Sequence, residues 1–380
     1  MKVGIVGTSN SIMKGGYTDG LASEQDIEVE KIVTIGESIG IIFWLQPDIE
    51  ILKSCNVCII DFAVNEQKFL QAGSVSPEYV EDYLRSCIAK IWSVGCLPIL
   101  LILPRLSVRA DQSLVVDIYN RIATDLNVPM INIIEMIDQI QNSANIERKQ
   151  LFQDDGHLHL DIAFAIGKDI GEFLNSIIQD SWYESEFQWT AHSYHYKSVE
   201  YFTTTNVIIR QLSSEVLSSE IGFFQPGSEA KIFLDPNVEA IGLCTSLVDT
   251  QGLISVEGET SIVFDLSNAY PIYRSGFIMS ALAFPYRIPP KSQTIEIKIV
   301  ERSLLAETED LRSIILLDQA EYAREKDEAA IGGIFVRQRD ATTFLSRPAD
   351  QYVNINIEKI RFKSVHNAVN IMNLSNWDSL

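Results

Sequence analysis

Three short stretches of the 380-residue sequence hold side chains suited to nucleophilic chemistry. The first, "MKVGIVGTSNSIMKGGY", runs from an apolar segment through Gly7 into Thr8, Ser9, Asn10 and Ser11, where a turn into a helix should begin. A serine oxygen is a weak nucleophile until a base takes its proton and donors stand ready for the oxyanion. Far along the chain, "FQDDGHLHLDIAFAIGKDIG" supplies a base. Asp154 and His157 stand three apart in a turn, a spacing that lets the carboxylate orient one ring nitrogen while the other faces a serine. In "NVCIIDFAVNEQ", Asn65 falls just past an apolar run, where its amide can donate to a developing oxyanion. "VTIGESIG" adds Gly36 and Gly40, either of which can point a backbone N–H into the same crevice.

Each residue also has a plainer use. Taken singly, Ser9 reads as an N-cap or turn residue, Asn65 as a loop residue or helix cap, and the glycines as turn formers. Asp and Gly beside His157 are ordinary turn residues. The other histidines, His159, His192, His195 and His366, stand at the start of the following helix, in an aromatic segment, or near the C-terminus. A dinucleotide loop is a poor alternative, because its glycine positions counted from Gly7 hold Gly7, Ser9 and Ile12. "MKGG" lacks the Gly-Lys-Ser/Thr ending of a phosphate loop.

These residues need a frame, and the first 180 or so positions provide one. "KVGIVG", "VEKIVTI", "NVCIIDF", "LPILLILP" and "VPMINI" read as buried strands. Between and after them, "SPEYVEDYLRSCIAKIWSVG", "SLVVDIYNRIATDLN" and "LDIAFAIGKDIGEFLNSIIQ" have helical period. Such alternation builds a parallel sheet covered on both faces, with ligands outside the carboxyl ends of its strands. From about 201 onward, short strands such as "EIGFF", "AKIFL", "EAIGLCT", "LISVEG", "QTIEIKIVE", "GGIFVRQ" and "YVNINIEKIRF" recur between turns, the pattern of an antiparallel sandwich. One helix is expected at "LDQAEYAREKDEAA". The aromatic, polar stretch "SWYESEFQWTAHSYHYKS" reads as a connector packed between domains, with Trp182 and Trp189 as interdomain packing or as stacking faces.

Composition bounds the function. Hydrophobic residues at 46% and charged residues at 21% are ordinary globular usage. A formal charge of −21 repels phosphate backbones and anionic lipid surfaces, so nucleic acid is not an expected partner. No apolar run approaches the roughly 20 residues of a membrane span. Met1 leads straight into a strand pattern, so the chain reads as cytoplasmic. Five cysteines suit a reducing compartment, and the "CNVC" pair, Cys55 and Cys58, reads as buried thiols rather than a metal or redox site.

In this order and at these strand ends, "GTSNS", a glycine after the second strand, "AVN" and "DDGHL" resemble the four blocks of the SGNH (GDSL-type) hydrolase family. The resemblance covers about the first 180 residues. It implies a flavodoxin-like three-layer parallel sheet, with Ser9 as nucleophile, His157 as base and Asp154 as its orienting acid. Ser9 N–H, Gly36 N–H (or that of Gly40) and the Asn65 amide would form the oxyanion hole. The sequence departs from the family at Thr8, where an acid is usual, and at Ala63, where a glycine is usual. The expected layout is a catalytic domain over 1–182, a connector over 183–200 and a mostly β accessory domain over 201–380. The expected activity is acyl-ester hydrolysis or O-acyl transfer on a saccharide or glycan precursor, with no cofactor or metal required, and surface-polysaccharide assembly is its expected setting. An inactive glycan-binding or scaffold module is the alternative, and oligomeric state is not readable.

Overall fold

Strand β1 (Lys2–Gly7) is apolar on both sides because it is an interior strand of a sheet covered on both faces. The computed structural model describes residues 1–33, 50–71, 73, 75–144, 146–177, 188–213, 218–246, 252–265, 279–300, 313–315, 328–346, 360 and 362–369. Within them, β1 is followed by α1 (Ser9–Ile12), α2 (Tyr17–Ala22), β2 (Glu28–Val33), α3 (Glu50–Lys53), β3 (Val57–Asp61), α4 (Ala63–Gln71) and α5 (Pro77–Ser93). Then come β4 (Leu97–Ile102), α6 (Leu114–Leu126), β5 (Met130–Asn132), α7 (Ile133–Ala144) and α8 (Leu160–Ile177). The five strands pair in the order β2-β1-β3-β4-β5, all parallel, which is the flavodoxin-like doubly wound arrangement.

Alternation along each strand divides the core. Cys58, Ile60, Leu100 and Ile102 face one side with α5 and α6, whereas Val57, Ile59, Ile99 and Leu101 face the other with α2, α7 and α8. Ser76 starts α5 by accepting the Tyr79 N–H, with Pro77 at the first helical position, and Asn127 ends α6 in the left-handed region at φ 48°. Helices α2 and α8 meet at glycines. A Cβ on Gly20 would stand 1.9 Å from the Phe164 carbonyl oxygen, and one on Gly167 would stand 1.8 Å from that of Tyr17. The crossing therefore excludes any side chain at either position.

The later part of the chain is mostly β. Its strands are β6 (Gln188–Ser198), β7 (Thr203–Thr205), β8 (Ile208–Ser213), β9 (Ser218–Phe224), β10 (Glu229–Phe233), β11 (Val238–Ser246), β12 (Leu253–Glu257) and β13 (Ser261–Asp265), then β14 (Met279–Ile288), β15 (Thr294–Val300), β16 (Ser313–Ile315) and β17 (Ala329–Ser346). They form two sheets, β16-β13-β12-β15-β10-β7 and β14-β11-β17-β9-β8, with β6 added to β17. Phe224, Leu243, Phe284, Ile295, Ile297 and Ile334 lie in the shared core of this sandwich.

Three features differ from the sequence reading. Residues 188–198, expected within a connector, are β6, because Tyr194 and Tyr196 alternate with His195 and Lys197 and pack into the core beside α5. Helix α7 was not anticipated, although Ile133, Ile134, Ile137 and Ile140 hold helical spacing. Residues 363–369, expected within the β region, form a helix on the first domain. Val365 and Val369 join its core, and the buried carboxylate of Asp169 accepts the Ser364 and Val365 N–H groups at 3.0 and 3.1 Å. Most of the helix expected at "LDQAEYAREKDEAA" and most of "YVNINIEKIRF" lie outside the described residues, and Ala329 and Ala330 begin β17.

The two parts share one apolar core. Ile241, Cys244, Met279, Ala281 and Phe335 of the sandwich cluster with α5. The Tyr83 and Tyr194 rings meet edge to face at 5.6 Å, and Arg287 donates to Asp82 at 3.0 Å across the join.

Candidate active site

The carboxyl ends of β1 and β3 present α1 and the first turn of α4 side by side, and the loop before α8 closes over them. Gly7 pairs with Asp61 across these strand ends, and a Cβ at Gly7 would press on Ser11 and Asp61 at 3.0 and 3.2 Å. The chain then turns sharply: Ser11 N–H and Oγ–H donate to the Thr8 carbonyl at 3.0 and 2.7 Å, and Thr18 Oγ1 donates to the Ser11 carbonyl at 3.1 Å. Ser9, the first residue of α1, is left exposed at the tip.

The loop 152–158 is closed by a bridge between Phe152 and Leu158 and by Gln153 N–H donating to the His157 carbonyl at 2.9 Å. Within it, Asp154 Oδ1 accepts the Gly156 N–H at 2.8 Å and lies 2.8 Å from His157 Nδ1, with Oδ2 at 2.9 Å. His157 Nε2 lies 2.9 Å from Ser9 Oγ. An ionised carboxylate only accepts, so Nδ1 carries the ring proton and the bare Nε2 accepts from the Ser9 hydroxyl. Asn10 Nδ2 ties the two segments together by donating to the Gly156 carbonyl at 3.2 Å. The fold thus joins residues 148 positions apart into a continuous Ser9–His157–Asp154 line.

The other expected residues are placed less completely. Asn65 lies in the first turn of α4, its backbone N–H donating to the Phe62 carbonyl at 3.0 Å and its side chain half-buried. That turn borders the histidine loop, since Val64 Cγ1 would be 3.6 Å from a Cβ on Gly156. Gly36 and Gly40 lie outside the described residues, as does Trp182; Trp189 lies in β6. His159 precedes α8, with its N–H on the Leu151 carbonyl and its own carbonyl accepting from Ala163. His192 and His195 lie in β6, and His366 in the helix 363–369. The five cysteines, Cys55 and Cys58 included, are buried free thiols.

Under the nucleophile turn lies an acid that the motifs did not mark. Asp61 is fully buried, accepts the Tyr17 hydroxyl at 3.2 Å through Oδ2, and its Oδ1 has no partner among the described residues. Burial pushes its carboxyl up to about 7, against the opposing pull of the Tyr17 hydrogen bond. Asp155 is held the other way: despite its desolvation, hydrogen bonds from Arg105 and Ser107 keep its carboxyl below the usual range. A charge following a strand, as in "ILPRL", was the available sequence signal for Arg105. Among the described residues no group of His, Cys, Asp and Glu is arranged to hold a metal, and no helix is long and apolar enough to cross a membrane.

No family model matches the chain, and no curated protein matches it. Solved structures do. A two-domain esterase (CEX) active on acetylated mannans is similar over 90% of this chain and 92% of that one, with a TM-score of 0.61 and 12% identity. The same esterase co-crystallised with mannopentaose gives a TM-score of 0.61 and 12% identity, over 90% of this chain and 91% of that one. At this identity the likeness is one of fold, and it runs through both parts of the chain.

Proposed function

From the premise that the chain has the fold of a two-domain esterase, with an SGNH hydrolase-like sheet followed by a mostly β region, we propose that it is a serine-dependent esterase acting on acylated glycans. The reading is carried by one observation, the 2.9 Å approach of Ser9 Oγ to His157 Nε2. Ser9 Oγ attacks the ester carbonyl while His157 takes its proton. Asp154 keeps that proton on the correct nitrogen and stabilises the imidazolium. The oxyanion receives the Ser9 N–H and the Asn65 amide, with the Gly36 N–H as a third donor. Collapse of the tetrahedral intermediate expels the sugar hydroxyl, protonated by His157, and leaves an acyl-Ser9. Water, deprotonated by His157, then releases the carboxylic acid and restores the serine. The scheme needs no metal or cofactor.

The exposure of Ser9 and of Asp154, whose side chain is 60% accessible, supports an open site that admits an ester on a polymer and water as acceptor. That favours hydrolysis over O-acyl transfer, which requires a shielded acyl-enzyme. Glycans as substrate class follow the acetylated mannans of the structurally similar esterase. In this reading residues 1–182 are the catalytic domain and 201–380 the accessory region, of which the helix 363–369 packs on the catalytic domain.

The test is turnover of a chromogenic acetate ester and of acetylated oligosaccharides. Ser9→Ala should abolish turnover and stoichiometric labelling by an active-site phosphonate, and His157→Gln should do so with the fold intact. Full turnover in Ser9→Ala would overturn the reading, and glycan binding without labelling of the wild type would favour a non-catalytic module.

A further inference from the structure

The base in this scheme stands on a loop, and a loop holds a ring in place only if its backbone is tied down. Asp155, between Asp154 and His157, points away from the ring and into the segment that follows β4. Arg105 Nε donates to Asp155 Oδ2 at 2.9 Å and its Nη2 donates to the same oxygen. Ser107 N–H donates to Oδ1 at 2.9 Å, and Leu106 N–H to the Asp155 backbone carbonyl at 2.9 Å. One residue of the histidine loop is thus gripped by three successive residues of another loop.

That second loop is itself anchored. The Arg148 side chain, 8% accessible, donates through Nε to the Leu106 carbonyl at 3.1 Å and through Nη2 to the Arg105 and Val108 carbonyls at 3.1 and 2.6 Å. Its Nη1 donates to Asp138, which also accepts the Ala110 N–H at 3.1 Å. Arg148 lies in the turn that leads directly into the histidine loop. The path from Arg148 through residues 105–108 to Asp155 therefore closes on itself, and His157 hangs from the closed ring.

Resting on the reading of Ser9 and His157 as nucleophile and base, we propose that Arg105 and Asp155 are positioning residues whose bridge sets the height of the His157 ring above Ser9. Arg105 is suited to this because two N–H groups of its rigid planar guanidinium converge on Oδ2 and leave Oδ1 to the Ser107 N–H, a fixed geometry that an ammonium group on a flexible stem does not impose. The Arg105 side chain is 13% accessible and that of Asp155 41%, so the contact is partly shielded from the solvent that weakens surface pairs. Misplacing a reacting group by about 1 Å costs on the order of 10²-fold in rate, which is the scale at stake.

The experiment uses the full chain with Arg105→Ala, Arg105→Lys, Asp155→Asn and the double variant Arg105→Ala/Asp155→Asn. Steady-state kinetics on a chromogenic acetate ester are read beside the downfield NMR signal of the His157 Nδ1 proton. Arg105→Ala should lower kcat roughly 10- to 100-fold with KM nearly unchanged. Millimolar guanidinium should restore part of the loss, Arg105→Lys should recover less than the native arginine, and the double variant should lose little beyond the worse single one. The Nδ1 signal should shift or broaden in Arg105→Ala. Unchanged kcat and an unchanged signal in a folded Arg105→Ala would overturn the proposal, as would a loss that guanidinium does not relieve while the signal stays native. Should Arg105→Ala fail to fold, the same readouts on Arg105→Lys and Asp155→Asn decide. If the wild type turns over no ester, the functional reading fails separately, and the imidazole signal alone judges the bridge.

Discussion

Replacing Asp154 by asparagine removes a charge while leaving an oxygen where the structure needs one. Asp154 Oδ1 serves two donors, the Gly156 N–H at 2.8 Å and His157 Nδ1 at 2.8 Å. In Asp154→Asn the Gly156 N–H selects the amide rotamer that keeps oxygen in that position, so Nδ1 retains its proton and Nε2 stays free to accept from Ser9. What is lost is the attraction between carboxylate and imidazolium, together with the second acceptor, since the position of Oδ2, 2.9 Å from Nδ1, becomes an NH2 group. With charges about 4 Å apart, that attraction is worth about 1 kcal/mol in bulk water and about 4 kcal/mol near a protein surface. The side chains are 60% and 27% accessible, so the loss lies between these limits. Converted to rate, it is roughly 5- to 10³-fold, milder than the roughly 10⁴-fold loss seen when an amide forces the wrong tautomer in a buried triad. Asp154→Ala removes the oxygen as well, frees the ring to change tautomer, and should be slower than Asp154→Asn. The assay is kcat/KM for a chromogenic acetate ester near neutral pH, with thermal unfolding as the control for fold. An Asp154→Asn variant with unchanged rate, or slower than Asp154→Ala, would refute the reasoning from the Gly156 contact.

Two further outcomes follow from the packing around the site. Asp61 is protonated in the folded protein up to about pH 7, whereas the unfolded chain gives up that proton near 4. The native state therefore binds more protons between these values, and stability falls as pH rises through that window, by on the order of 4 kcal/mol over about three units; Asp61→Asn should flatten this slope in urea titrations run across the window, and an unaltered slope would count against a neutral Asp61. Gly167→Ala puts a methyl group into the Tyr17 carbonyl, so it should cost about 3 kcal/mol or more and lower Tm by several degrees, measured by calorimetry; a native Tm would mean that α2 and α8 separate without penalty.

The parallel sheet was legible because burial on both faces leaves near-continuous apolar runs, and α8 because its apolar stripe is long. The histidine block was legible because Asp, Gly and His in a four-residue turn leave few geometries. Strand β6 was not, since its alternation of Tyr194 and Tyr196 with His195 and Lys197 uses tyrosine as the apolar face, and that face exists only once α5 lies against it. The helix 363–369 was equally hidden, because its cap is Asp169, 195 positions earlier.

Chain order and residue type alone specified the strand ends, the turn that exposes Ser9, and the three-residue step from Asp154 to His157, because these depend on local conformation and side-chain chemistry. Whether Ser9 meets His157 was decided by the parallel pairing of β1 with β3 and by the loop that Arg105 and Arg148 hold, since contacts between distant segments follow from packing rather than from spacing.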